Sequence, residues 1–169
     1  SKALTRITQV TTTSRENAEG VQMMKLSKYG EDFIVREEGE RLTAYRDSVG
    51  IWTIGVGHTG EVDGEPVGRG MAISAVKSRE VFRLDISRFE NAVNDLVRVQ
   101  LNQNQFDALV SLVFNIGTGA FARSTLLKRL NAGDYSGAAE AFLMWRNAGG
   151  KPILLNRRKR EKALFEKVD

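Results

Sequence analysis

A chain of 169 residues, 41% hydrophobic and 27% charged, has the balance of a globular domain long enough to bury a substantial core. The absence of Cys excludes disulfides and thiolate metal sites, a single His argues against a histidine zinc centre, and no apolar run approaches the roughly 20 residues that span a bilayer. Neither a metal nor an organic cofactor is expected. The net charge of +4 suits an anionic partner such as nucleic acid, an anionic envelope or an acidic polymer, and equally suits a surface where excess Lys and Arg are merely solvated.

Residues 1–22, "SKALTRITQVTTTSRENAEGVQ", are polar and Thr-rich, with a faint helical period in Leu4, Ile7 and Val10. They read as an extension or linker joined to a folded domain over 23–169. No apolar core of a secretory signal is present there, and Ser1 in place of Met is what a processed, trimmed or excised product would show. In "LSKYGEDFIVREEGERL", Ser27 is an N-cap for a helix with Phe33 and Ile34 on its apolar face, and Gly39 is its stop. "LTAYRDSVGIWTIGVG" then predicts a hairpin: Leu42, Ala44 and Tyr45 on one strand, Ile51, Trp52 and Ile54 on the other, turning through Ser48, Val49 and Gly50. Residues 60–72, with Gly60, Gly64, Pro66, Gly68 and Gly70, form a loop or a third edge strand.

From Ser74 the pattern becomes helical, with Val76, Phe82, Ile86, Phe89, Val93 and Leu96 at three- and four-residue steps. Further helices are predicted over about 104–115, 124–132, 135–146 and 156–167, with Asn102 or Asn104, Ser124 and Asp134 as caps. The predicted class is α+β: a small β-hairpin lobe (about 40–72) joined by a long helix to a larger helical lobe (about 74–168).

The stretch "TIGVGHTG" at 53–60 satisfies G-x-G-x-x-G after a strand-like run, the form of a dinucleotide phosphate loop. Such a loop must open a helix at its third glycine. Here Gly64, Pro66, Gly68 and Gly70 follow instead, and no βαβ repeat surrounds the motif, which argues against nucleotide binding. The glycines are better explained by turning and by close approach of backbone.

Chemistry is more promising beside that motif. Glu38 ends the first helix, Asp47 ends the first strand, and Thr53 lies on the opposing strand. A helix end that meets a hairpin can bring an acid, a second carboxylate and a hydroxyl to one cleft. Glycosidic cleavage uses such a pair, one carboxyl protonating the leaving oxygen while the other assists water or attacks the sugar carbon. By spacing alone, solvated charges at element ends remain the commoner explanation.

The run "EGERLTAYRDSVGIWTIGVGHTG" closely resembles the phage-type lysozymes, the endolysin glycoside hydrolases, and most of all endolysins of tailed phages of Gram-negative bacteria. The resemblance continues through "LNQNQFDALVSLVFNIGTGAFARSTLLKRLNAGDY", "AAEAFLMWRNAGGK" and "LNRRKREKALF", covering residues 24–168. It implies a lysozyme-like fold and hydrolysis of the β-1,4 bond between N-acetylmuramic acid and N-acetylglucosamine in peptidoglycan glycan strands. Glu38 matches the general acid, ahead of its neighbours Glu37 and Glu40; Asp47 matches the second carboxylate and Thr53 the hydroxyl that would hold a water or an intermediate in place. Phe114, Asn115 and Ser124 align with the substrate cleft, though Phe114 also fits a core period. His58 reads as a structural hydrogen-bonding residue and Trp145 as core. Arg157 resembles a family position that reaches back to the acid, with Arg158 and Arg160 as alternatives.

A non-catalytic peptidoglycan-binding module is the rival reading, against which the intact Glu38, Asp47 and Thr53 set stands. Nucleic-acid binding rests only on "NRRKRE" at 156–161, which Glu161 and the lack of interleaved aromatics turn toward a solvated helix face. The expectation is a monomer without stable membrane insertion, made in the host cytoplasm and acting on periplasmic peptidoglycan. It is either a holin-dependent endolysin with an extension or the lytic domain of a larger virion or bacteriocin protein.

Overall fold

The structure, a computed structural model, describes residues 23–168 together with Glu16, Gly20 and Val21. The extension expected over 1–22 otherwise lies outside the described residues. Helix α1 (Lys28–Glu38) starts where Ser27 Oγ accepts the Gly30 N–H at 3.0 Å. The Ser27 N–H and hydroxyl in turn donate to the Asp107 carboxylate, so the cap is itself held from below. Gly39 ends α1 at φ 80°, a conformation that costs glycine little, while its N–H still donates to the Val35 carbonyl.

That sharp exit sends the chain into a three-stranded antiparallel sheet of order β1 (Arg41–Arg46), β2 (Trp52–Gly55) and β3 (His58–Thr59). Arg41 pairs with Gly55 and Tyr45 with Thr53, so β1 bulges between the two pairs. The bulged backbone is not left unpaired: Ala44 N–H donates to Met71, and Leu42 accepts from Ile73. The 60–72 region, expected as loop or one edge strand, forms a separate two-stranded ribbon, β4 (Glu61–Val62) with β5 (Glu65–Pro66). Ile54, Val62 and Val67 make the small core of this lobe, flanked by Ala44, Trp52 and Met71.

Helix α2 (Ala75–Leu96), capped by Ser74 Oγ on the Lys77 N–H, carries the chain into the larger lobe. Phe82, Ile86, Phe89 and Val93 are buried along it as the periodicity requires, whereas Val76 is 71% exposed. Val76 lies in the first turn, ahead of the stretch that enters the core. Helix α3 (Gln103–Ile116) begins with a reciprocal capping box between Asn102 and Gln105, which selects Asn102 over Asn104. Residues 106–113 of α3 are buried without interruption, and α3 packs against α1, α2 and α7 (Leu155–Glu166). It is the axis of the helical lobe.

Between them come α4 (Thr118–Ala122), α5 (Thr125–Asn131) and α6 (Tyr135–Ala141), followed by a 3₁₀ turn at Phe142–Trp145. The single helix expected over 135–146 is thus two elements, and α4, only five residues long, was too short to show a period. Asp134 and Ser124 cap α6 and α5 as their positions suggested.

The segment before α1 is strapped onto the helical lobe. Asn94 accepts the Met24 N–H and donates to the Met24 carbonyl, both at 2.8 Å, and Glu90 Oε2 accepts the Leu26 N–H at 2.7 Å. Burial pushes the Glu90 carboxyl above the ordinary range, against the downward pull of that backbone hydrogen bond. A raised carboxyl contributes full stability below the ordinary range and loses that contribution as pH rises through its shifted value. Glu90→Gln, which keeps an acceptor for Leu26, should therefore raise the urea midpoint near neutral pH, with the gain shrinking as pH falls through the carboxyl range. Midpoints that differ equally at every pH would contradict this.

Candidate active site

Glu38 is the last residue of α1 and stands at the junction of the two lobes. Its side chain is 22% exposed, and its Oε1 accepts from Arg157 Nη1 at 2.6 Å. The neighbouring carboxylates have other partners: Glu37 is gripped by Arg160 with bonds of 2.5 and 2.8 Å, and Glu40 accepts from Ser78 Oγ at 2.7 Å. Of the three arginines left open by the sequence, Arg157 is the one that meets Glu38.

Arg157 is positioned from below. Its Nη2 donates to the Ser111 carbonyl of α3 at 3.2 Å, and its Nε donates to Glu161 Oε2 at 3.3 Å. Glu161 is fully buried and also accepts from Ser111 Oγ and from Arg158 Nη1, each at 2.5 Å. Arg158, equally buried, donates onward to the Trp145 carbonyl at 2.9 Å and to Asn115 Oδ1. Burial pushes the Glu161 carboxyl up, while the Arg158 and Arg157 guanidiniums pull it down. The expectation of a solvated face for "NRRKRE" therefore fails at Arg157, Arg158 and Glu161, which fill the seam between α3 and α7 as a charged core.

On the hairpin, Asp47 and Thr53 are tied together through Ile51. Asp47 Oδ1 accepts the N–H groups of Val49 (3.0 Å) and Ile51 (2.8 Å), which fixes the turn. Thr53 is buried in β2, and its hydroxyl donates to the Ile51 carbonyl at 3.0 Å. The hydroxyl proton is thereby committed, leaving the oxygen as an acceptor for an incoming water. Glu38 ends α1, Asp47 lies just past the end of β1 and Thr53 is on β2, so Glu38 and this pair come from consecutive elements.

The remaining sequence candidates are placed as follows. Phe114 is half-buried and meets Phe82 and Phe89 edge-on, with centroids 6.0 and 5.2 Å apart, as a core aromatic does. Asn115 is exposed at the end of α3 and is oriented by Arg158. Ser124 is buried; its hydroxyl accepts the Leu127 N–H and donates to the Phe121 carbonyl, so its bonding is taken up by the cap. His58 lies with Nδ1 2.7 Å from Asp85 and Nε2 2.7 Å from the Glu61 carbonyl, joining β3 to α2 in a structural role. Trp145 packs against the main core.

Sequence reasoning missed Ser111 and Glu161. The only signal was the spacing of Glu161 three and four residues after Arg158 and Arg157, and that spacing is shared by ordinary solvated helix pairs.

The model of the family described as phage lysozyme matches residues 35–161. The chain is similar to the endolysin of Salmonella phage P22, with 59% identity over 144 residues that cover 85% of this chain and 99% of that protein. Among solved structures it is similar to P22 lysozyme, with a TM-score of 0.83 and 57% identity, covering 86% of this chain and all of the other. It also resembles the muramidase domain of SpmX from Asticaccaulis excentricus, with a TM-score of 0.75 and 38% identity over 85% of this chain and 99% of that one. The family model and the identity over most of the chain show that the chain belongs to the phage lysozyme family.

Proposed function

We propose that Glu38, Asp47 and Thr53 carry the muramidase reaction of this endolysin, hydrolysis of the β-1,4 bond between N-acetylmuramic acid and N-acetylglucosamine in bacterial peptidoglycan. The observation that supports the assignment is the Glu38–Arg157 contact at the lobe junction, because it fixes one oxygen of an otherwise accessible carboxyl. With Oε1 held, Oε2 delivers the proton to the glycosidic oxygen as the C1–O bond of muramic acid breaks. Asp47 supports the positive charge that develops at the sugar ring. Thr53 holds the water whose oxygen adds to C1 while its proton leaves to a carboxylate.

Asn115, exposed and oriented by Arg158, offers an amide to the glycan, and Phe114 beside it supplies an apolar edge. The enzyme acts as a monomer, made in the host cytoplasm and acting on periplasmic peptidoglycan, by a holin-dependent route if it is a simple endolysin. Among the described residues no helix is long and apolar enough to cross a membrane.

Two measurements test this reading. Glu38→Gln should lower the release of reducing ends from purified peptidoglycan by about 10² to 10⁴-fold. Wild-type products should carry ordinary reducing termini by mass spectrometry; 1,6-anhydro muramic acid termini, or full activity in a folded Glu38→Gln protein, would contradict the mechanism. Glu161→Gln should cost about 3 to 5 kcal/mol of stability in chemical denaturation, because it strips the shared counter-charge from two buried guanidiniums. An unchanged midpoint would show that Glu161 does not hold them.

A further inference from the structure

We infer that Ser78 and Arg79, near the start of α2, are positioning residues that set the placement of Glu38 relative to Thr53 across the lobe junction. This rests on the reading of Glu38 as the acid. Ser78 is fully buried, and its hydroxyl donates at 2.7 Å to Glu40, two residues beyond Glu38. The same hydroxyl seats against Gly55, two residues beyond Thr53: a Cβ on Gly55 would lie 3.1 Å from Ser78 Oγ. Gly55 in turn pairs with Arg41 on β1, next to Glu40. One hydroxyl thus sits where the strand leaving the acid and the strand carrying Thr53 converge.

Arg79 broadens the clamp along α1. Its Nε donates to Glu40 at 3.3 Å, and its Nη1 donates to Glu31 at 3.2 Å and to Asp32 at 2.9 Å. Arg83, one turn later, takes Glu31 as well. The Arg79 guanidinium holds Asp32 below the ordinary carboxyl range, with help from Lys28. On its other side α1 is gripped by α7, through Arg160 to Glu37 and Arg157 to Glu38. Carboxylates at 37, 38 and 40 therefore point to different anchors, and the α2 anchor is the one that also touches β2. Loss of that anchor leaves Glu38 paired with Arg157 but frees its distance from the hairpin, so the chemical step suffers more than binding.

The test is steady-state kinetics on soluble, uncrosslinked peptidoglycan strands for Ser78→Ala, Arg79→Met, Arg79→Lys, Glu40→Gln and Glu38→Gln, assayed well below each melting midpoint. Ser78→Ala and Arg79→Met should each lower kcat by about tenfold with KM changed less than about twofold. Arg79→Lys, which keeps a cation, should recover much of the loss. Glu40→Gln, which keeps an acceptor for Ser78 but removes the negative charge that Arg79 pairs with, covers the case in which Arg79→Met fails to fold and should lower kcat in the same way. Unchanged kcat in the folded Ser78→Ala and Glu40→Gln proteins, or a loss confined to KM, would overturn the inference. Full activity in Glu38→Gln would instead overturn the acid assignment on which it rests.

Discussion

The site depends on a carboxylate that never meets solvent. Glu161 is wholly buried between α3 and α7, and it neutralises Arg157 and Arg158 while Ser111 fills its remaining bonding. Two guanidiniums so close to each other and so far from water would repel without it. Held in this frame, Arg157 can aim at Glu38 and Arg158 at Asn115, so one buried anion orients side chains on two helices that line the proposed cleft. Apolar residues would pack this seam at lower desolvation cost; the charged alternative gives direction, because hydrogen bonds fix angles that methyl groups do not.

Around that frame the fold places α1 between two anchors. The helical lobe grips it through Ser27 and Asp107 at its start and through Arg160 and Arg157 at its end. The long helix grips it through Arg79, while Ser78 holds Glu40 just beyond its end. Gly39 then turns the chain directly into β1, so little slack separates Glu38 from the hairpin. Asp47 and Thr53 share a short turn organised by Ile51, which makes them a unit whose placement relative to Glu38 is a lobe-against-lobe variable.

The parts legible in the sequence are those governed by local chemistry. Ser27, Ser74, Ser124 and Asp134 each satisfy helix N–H groups within three residues, so their meaning does not depend on the rest of the fold. Gly39 likewise announces its positive φ. Glu38, Asp47 and Thr53 were ambiguous by spacing and became a set only through the ordered motifs around them. What stayed hidden was tertiary. Whether an Arg–Glu spacing on a helix is solvated or buried is decided by what packs over it, so "NRRKRE" read as surface although Arg158 and Glu161 are core. The glycines of "TIGVGHTG" turn the chain at positive φ as their sequence reading holds, but that Ser78 is the group packed against Gly55 could not be read from it.

The central claim is that Glu38, held by Arg157, acts by giving a proton to the leaving oxygen. The measurement that tests it most directly compares Glu38→Gln on two substrates: peptidoglycan, and a muropeptide glycoside whose aryl leaving group departs without protonation. General acid catalysis predicts that the variant loses cleavage of the first and retains near wild-type cleavage of the second. Equal loss on both substrates would contradict it and would give Glu38 another role.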